Sequence, residues 1–216
     1  MNRDDLSVQV QSTLDSDTKD KRRRFIGKYH SLRQEFGFLK PEILFKIIEI
    51  YTTSFYGSNL WSFSSGECER VYTSWNNMIR NVWNISNTAH RYLMEELSGT
   101  KHIRTKLFQR YLNFINSIRK SKKKCLSSLA EMAISDQAST TRINLNIISA
   151  ESGFVNVLEM DSRCVTNNIF YEKIPDDEKW KVEFLREAMS IRSGELVLED
   201  FDRKEIQTII NCISSM

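Results

Sequence analysis

Thirteen basic side chains in two groups have the types and spacing suited to binding chemistry. Lys21, Arg22, Arg23, Arg24 and Lys28 form the first group; Lys101, Arg104, Lys106, Arg110, Lys120, Lys122, Lys123 and Lys124 form the second. Lysine and arginine neutralise phosphates and release their condensed counterions, so such density selects for a nucleic-acid backbone. Residues 21–124 hold 20 basic and seven acidic side chains, net +13. Residues 1–20 are net −3 and residues 125–216 net −7, an asymmetry hidden in the formal total of +3. The acidic C-terminal part repels nucleic acid, which places any contact in the first 125 residues. The competing reading is an ordinary solubilising basic surface.

Residues for catalysis are harder to assemble. Asp4-Asp5 invites comparison with the aromatic-x-Asp-Asp hairpin of polymerases, but Asn2 stands in the aromatic slot and no strand-forming run precedes it. Two-metal nucleotidyl transfer also needs a third carboxylate on a rigid strand, and no motif supplies one. His30, His90 and His102 are too scattered to pair with cysteine at metal spacing. Cys68, Cys125, Cys164 and Cys212 lie far apart without a C-x-x-C pair, so four free thiols, mostly packed as small hydrophobes, are expected. Phosphate-loop, dinucleotide, nucleophile-elbow and zincin motifs are absent from the sequence. The expectation is a non-enzyme with no cofactor and no metal.

The elements that must position the basic groups are helical by pattern. Seven glycines and two prolines in 216 residues leave few breakers, and 40% apolar with 27% charged residues suits a folded soluble chain. No apolar run reaches the roughly 18–20 residues that cross a bilayer, and the first 24 residues carry no secretory segment. An intracellular protein is expected, in nucleus or cytoplasm, with no membrane partner. Helical stripes run through Phe25, Ile26, Tyr29, Leu32 and Phe36; through Ile43, Leu44, Ile47, Ile48, Tyr51 and Phe55; and through Val71, Tyr72, Trp75, Ile79, Val82 and Trp83. Pro41 opens the second, which is expected to reach Tyr56, and a capping-box-like Ser64-Ser65-Gly66-Glu67 opens the third.

A short helix is expected from Thr88 to Leu97, then a strong one on Ile103, Leu107, Phe108, Tyr111, Leu112, Ile115 and Ile118, then one from Cys125 to Ser135. Ile143, Leu145 and Ile147 alternate with polar residues, which leaves room for one short strand. Helices resume at Asp176 and, behind Asp202-Arg203-Lys204-Glu205, at the chain's end. The expected architecture is a mainly all-α bundle of about six to eight helices. Its expected parts are a disordered or truncated tail over 1–20, a basic helical domain over 21–135, an irregular connection over 136–175 and acidic helices over 176–216. Trp61, Trp75, Trp83 and Tyr56 are diagnostic: buried, they are core; exposed together, they are a partner surface.

Particular runs carry a resemblance. Phe25 to Phe38 (FIGKYHSLRQEFGF) and Ile50 to Trp61 (IYTTSFYGSNLW) are followed by Trp75, Ile79-Arg80, Thr88-Ala-His90, Leu93 and Arg110. Together they resemble the region just after the palm in non-LTR (LINE-type) retrotransposon reverse transcriptases of the chicken-repeat and jockey-like kind. Ser139 to Ile147 (STTRINLNI) and Glu205 to Ile213 (EIQTIINCI) are similar to the ends of such reading frames, so the likeness spans roughly residues 20–216. It implies a thumb and C-terminal region that packs on a template–primer duplex, gripping an RNA–DNA hybrid weakly and by shape. The family's palm carboxylates and endonuclease have no counterpart in this chain. The resemblance therefore implies a non-catalytic fragment whose natural partner would include the palm, and a start at Met1 suggests a decayed element copy or a gene model that catches only the end of one. A helical protein-interaction module or a remnant without activity are the alternatives.

Overall fold

The computed structural model describes residues 3–169, 176–193 and 203–215. Its regular elements are all helical, as the scarcity of breakers led one to expect. They are α1 (Arg3–Phe36), α2 (Pro41–Thr52), α3 (Gly66–Trp83), α4 (Tyr92–Ser98), α5 (Ile103–Arg119), α6 (Lys124–Ser135), α7 (Thr140–Ser152), α8 (Ser162–Asn167), α9 (Lys179–Ser193) and α10 (Arg203–Ser215). Single 3-10 turns at Ser58–Leu60 and Asp176–Glu178 precede α3 and α9. Ten α-helices among the described residues exceed the six to eight expected, because the region over 136–175 holds α7 and α8; a second region, ahead of residue 21, is also helical and lengthens α1.

One of these is residues 1–20. α1 begins at Arg3, and by Asp17 it is tied to the fold: the Trp61 indole N–H donates to Asp17 Oδ2 at 3.1 Å, and Thr18 is buried. The stretch looked like a tail because residues 1–18 carry no sustained apolar period. The other is 136–175, where α7 occupies the stretch that left room for a short strand. Ser139 caps α7, its Oγ accepting from Arg142 N–H at 3.0 Å. The buried positions are Asn144, Leu145, Ile148 and Ser152, a helical set that the alternation of Ile143, Leu145 and Ile147 concealed. Asn144 belongs to the core because its amide is fully used: Oδ1 accepts from Phe63 N–H at 2.9 Å and Nδ2 donates to the Trp61 carbonyl at 2.8 Å. Asp161 caps α8 in the same region. The expected irregular piece over 170–175 and the cap at Asp202 lie outside the described residues.

Local chemistry explains other boundaries. α2 stops at Thr52 rather than Tyr56; Thr52 and Thr53 hydroxyls turn back to the carbonyls of Ile48 and Glu49, each at 2.7 Å. Gly57, at φ 84°, then takes the left-handed turn that a side chain would resist. α3 is capped by Ser65, whose Oγ accepts from Cys68 N–H at 3.2 Å, one residue later than the capping-box pattern suggested.

The chain divides into two compact units, each assembled from three stretches rather than from consecutive domains as expected. The first comprises Met1–Arg24, Phe55–Tyr72 and Ile103–Phe170. Within it α5 packs on α6, α8 and the Ser58–Leu60 turn. Its core joins Trp61, Phe63, Tyr72, Leu107, Phe108, Tyr111, Leu112, Ile148 and Val165. The second comprises Phe25–Ser54, Thr73–His102 and Tyr171–Met216. There Phe45 meets Trp75 at 5.8 Å and Trp83 at 5.2 Å between ring centroids, and Phe25 stacks on Trp75 at 6.2 Å. α9 and α10 pack together, and the His90 N–H donates to the Ser214 carbonyl at 3.0 Å.

All three diagnostic tryptophans are therefore core, no more than 2% exposed; Tyr56 alone stands out, at 86%. The cysteines depart from expectation. Cys68 is buried, but Cys125, Cys164 and Cys212 are exposed, because each falls on the outer side of a short helix.

Candidate nucleic-acid interface

The structure sorts the thirteen basic residues into two classes. On α1, Arg23, Arg24 and Lys28 are exposed, and Lys21 is half-buried. Lys21, Arg24 and Lys28 recur at three- and four-residue steps and so share a face of the helix. Arg22 is different: its Nε lies 3.9 Å from Glu67 Oε2, with both side chains largely shielded. Arg23 stands 3.7 Å from Asp20, an exposed pair of little energetic consequence.

In the second group, Arg104 turns inward. Its guanidinium pairs with Glu151 of α7 and lies over the rings of Tyr72 and Phe108, 5.4 and 5.5 Å from their centroids. Burial pushes the Glu151 carboxyl above its ordinary value, partly offset by Arg104. Beside this cluster the Cys68 thiol donates to Tyr72 Oη at 3.5 Å, and burial pushes that thiol up to about 11. Lys101, Lys106 and Arg110 are half-buried, and desolvation lowers the Arg110 guanidinium from its ordinary value.

The last four residues form a compact basic segment. Lys120, Lys122, Lys123 and Lys124 are all exposed, spanning the end of α5 and the start of α6. Arg119, just before them, is engaged instead: its Nε donates to Glu131 at 2.9 Å and its Nη1 to the Leu158 carbonyl at 3.5 Å. The lysines suit the negative C-terminal end of α5. They do not suit α6. Lys123 occupies its N-cap with no side-chain cap, and Lys124 sits in its first turn, so positive charge is stacked on the positive end of a helix. Sequence reasoning placed these lysines among the phosphate contacts but began the next helix at Cys125, and so missed their place at the start of α6.

Other chemistry-bearing groups do not converge. Among the described residues no three of His, Cys, Asp and Glu come together as metal ligands, and no helix is long and apolar enough to cross a membrane. Asp4 and Asp5 fall in the first turns of α1. His102 is buried in the second unit, Nε2 at 3.0 Å from Asn76 Oδ1, with its N–H donating to Glu95 at 2.6 Å. A cavity of about 680 Å³ in that unit mixes Lys40, Lys46 and Arg186 with Glu42 and Glu96, so it does not favour one sign of ligand. Comparison with protein-family models, curated proteins and solved structures gives no match for this chain.

Proposed function

We propose that this chain is a non-catalytic, helical nucleic-acid-binding piece of a retrotransposon reverse transcriptase, corresponding to thumb and C-terminal tail. It holds the backbone of an RNA–DNA hybrid by charge and shape. The observation that carries the reading is the run Lys120, Lys122, Lys123 and Lys124: exposed and concentrated over five residues, it loads positive charge on the N-terminus of α6, where phosphate would relieve the repulsion. Lys21, Arg24 and Lys28 offer a second contact along one face of α1. Support for the ancestry comes from the Phe25–Phe38 and Ile50–Trp61 runs. The tryptophans that a partner-binding module would display are spent on packing, which disfavours that reading in its general form.

The test is titration of an RNA–DNA hybrid at two salt concentrations. Binding is expected to be modest, sequence-independent and salt-sensitive, with a log–log slope near −4 for roughly five engaged phosphates. Each lysine of the run replaced by alanine is expected to reduce that slope by about one. Alanine at scattered cations such as Arg70 or Lys204 is expected to change little. Equal losses from clustered and scattered changes, or no binding at low salt, overturn the reading.

A further inference from the structure

The turn behind α2 holds one aromatic ring in solvent at a cost in backbone strain. Phe55 has φ 26°, a region that a bulky side chain resists, and Gly57 has φ 84°. With its ψ at −2°, Gly57 takes the third position of a type II turn, which the Ser58 N–H closes on the Phe55 carbonyl at 3.0 Å. Tyr56 fills the second position, between two fixed neighbours. Phe55 is buried, its ring edge-on to Trp61 with centroids 5.6 Å apart, and Ser58 is buried as well. Tyr56 is nonetheless the most exposed aromatic ring among the described residues. Strain held by a packed frame around one exposed side chain points to a use for that side chain.

Size and charge select what meets the ring. Apolar stripes elsewhere, Ile43, Ile50 and Tyr51 on α2 and Leu126, Leu129 and Met132 on α6, have nothing beside them to name a partner. Tyr56 has only Leu60, 58% exposed, as an apolar companion in its turn. A protein contact calls for contiguous apolar surface of roughly a few hundred Å², whereas a nucleobase needs one ring face. The turn also lies in the positive unit. That unit holds 17 basic and 12 acidic side chains, net +5, against 14 and 16, net −2, in the other. The Trp61–Asp17 bond fastens the turn to α1, and Asp17, Lys21 and Arg24 recur at four- and three-residue steps on one face of that helix. Lys21 stands about 6 Å further along the axis than Asp17, and Arg24 about 10 Å. We propose that Tyr56 is a stacking platform for one unpaired base of a single-stranded segment leaving the hybrid, with Lys21 and Arg24 neutralising the neighbouring phosphates. This rests on the nucleic-acid reading above and adds to it a distinction between paired and unpaired strands.

Titration of the full chain with one RNA–DNA hybrid in three forms tests this: blunt, with a short single-stranded overhang, and with the same overhang made abasic. The last two carry the same phosphates and differ only in their bases. Wild type should bind the base-bearing overhang at least about fivefold more tightly than the abasic one. Tyr56→Ala should abolish that difference, with helical circular dichroism and affinity for the blunt hybrid unchanged, and Tyr56→Phe should keep it because the ring remains. Lys21→Ala and Arg24→Ala should weaken both overhangs alike and leave their ratio as it is. If the blunt hybrid binds but wild type shows no preference between overhangs, or if the preference survives in Tyr56→Ala or is lost in Tyr56→Phe, the proposal is overturned and the lysine reading stands. Binding of none of the three forms overturns both. Sedimentation without nucleic acid adds a last outcome: a wild-type dimer that Tyr56→Ala dissolves would give the ring to a second copy, which also overturns the proposal.

Discussion

Near its start α5 turns Arg104 inward, onto two aromatic rings and the Glu151 carboxylate; beyond its end Lys120, Lys122, Lys123 and Lys124 stand in solvent. In the sequence these are one basic population. In the fold the first has a fixed partner and the second does not bury its charge at all. The difference follows from side-chain chemistry as much as position. A guanidinium is planar, weakly hydrated and able to stack, so it tolerates the interior, whereas an ammonium holds its water and stays outside. Charge density therefore locates a basic domain but does not identify which cations are available to a ligand.

The largest expected effect strikes at the inner end. Arg104→Ala removes the stacking and leaves Glu151 shielded without its cation, which should cost about 2–3 kcal/mol in urea unfolding, with the side chain's partial exposure keeping the loss below that of a fully buried pair. Affinity for a hybrid should remain within about twofold, because Arg104 is already committed to the protein. Loss of affinity at unchanged stability would place Arg104 in the interface and erase the contrast.

Thiol labelling gives a finer reading of the same two ends. In the native protein Cys125, next to the lysine run, should react promptly with a maleimide, as should Cys164 and Cys212. Cys68, beside Tyr72 and Arg104, is hidden and held at about 11, so it should react only on unfolding. Arg104→Ala should make Cys68 labelling faster while leaving Cys125 unchanged; prompt labelling of all four thiols in wild type would show that the inner end is open.

The smallest effect is in pH dependence. Burial holds the Glu151 carboxyl above the unfolded value of 4.5, Arg104 only partly opposing it. The folded protein thus binds this proton more tightly than the unfolded chain does. On account of this group, stability is greatest below 4.5 and declines as pH rises through the folded-state value, then levels off. Glu151→Gln should flatten that part of the stability curve. A curve of unchanged slope would mean that the Arg104 pairing cancels burial, and a steeper fall in the variant would mean that it outweighs it.

Much of the helical layout was legible because helix formation is a local matter. Pro41, Gly37 and Gly99 mark ends, and the stripes of α3 and α5 repeat at helical steps, so those elements stand where their periodicity puts them. α7 was hidden by Asn144, a polar residue at a core position, and the start of α1 by the lack of any sustained apolar period over residues 1–18. The exposed stripe of α2 was invisible for a related reason: Ile43, Ile47 and Tyr51 continue the same apolar pattern as Leu44 and Ile48, and periodicity cannot tell a face that will be covered from one that will not.

By itself, then, the sequence determined that the chain is helical, roughly where its helices lie, and that its net positive charge comes from residues 21–124. Tertiary structure alone decided which cations are enclosed, which apolar face stays bare and that residues from three separate stretches build each unit. The physical reason is distance along the chain. Asp17 bonds to Trp61, Phe63 to Asn144 and Arg104 to Glu151 across 44, 81 and 47 residues, and such pairings exist only once the helices have packed.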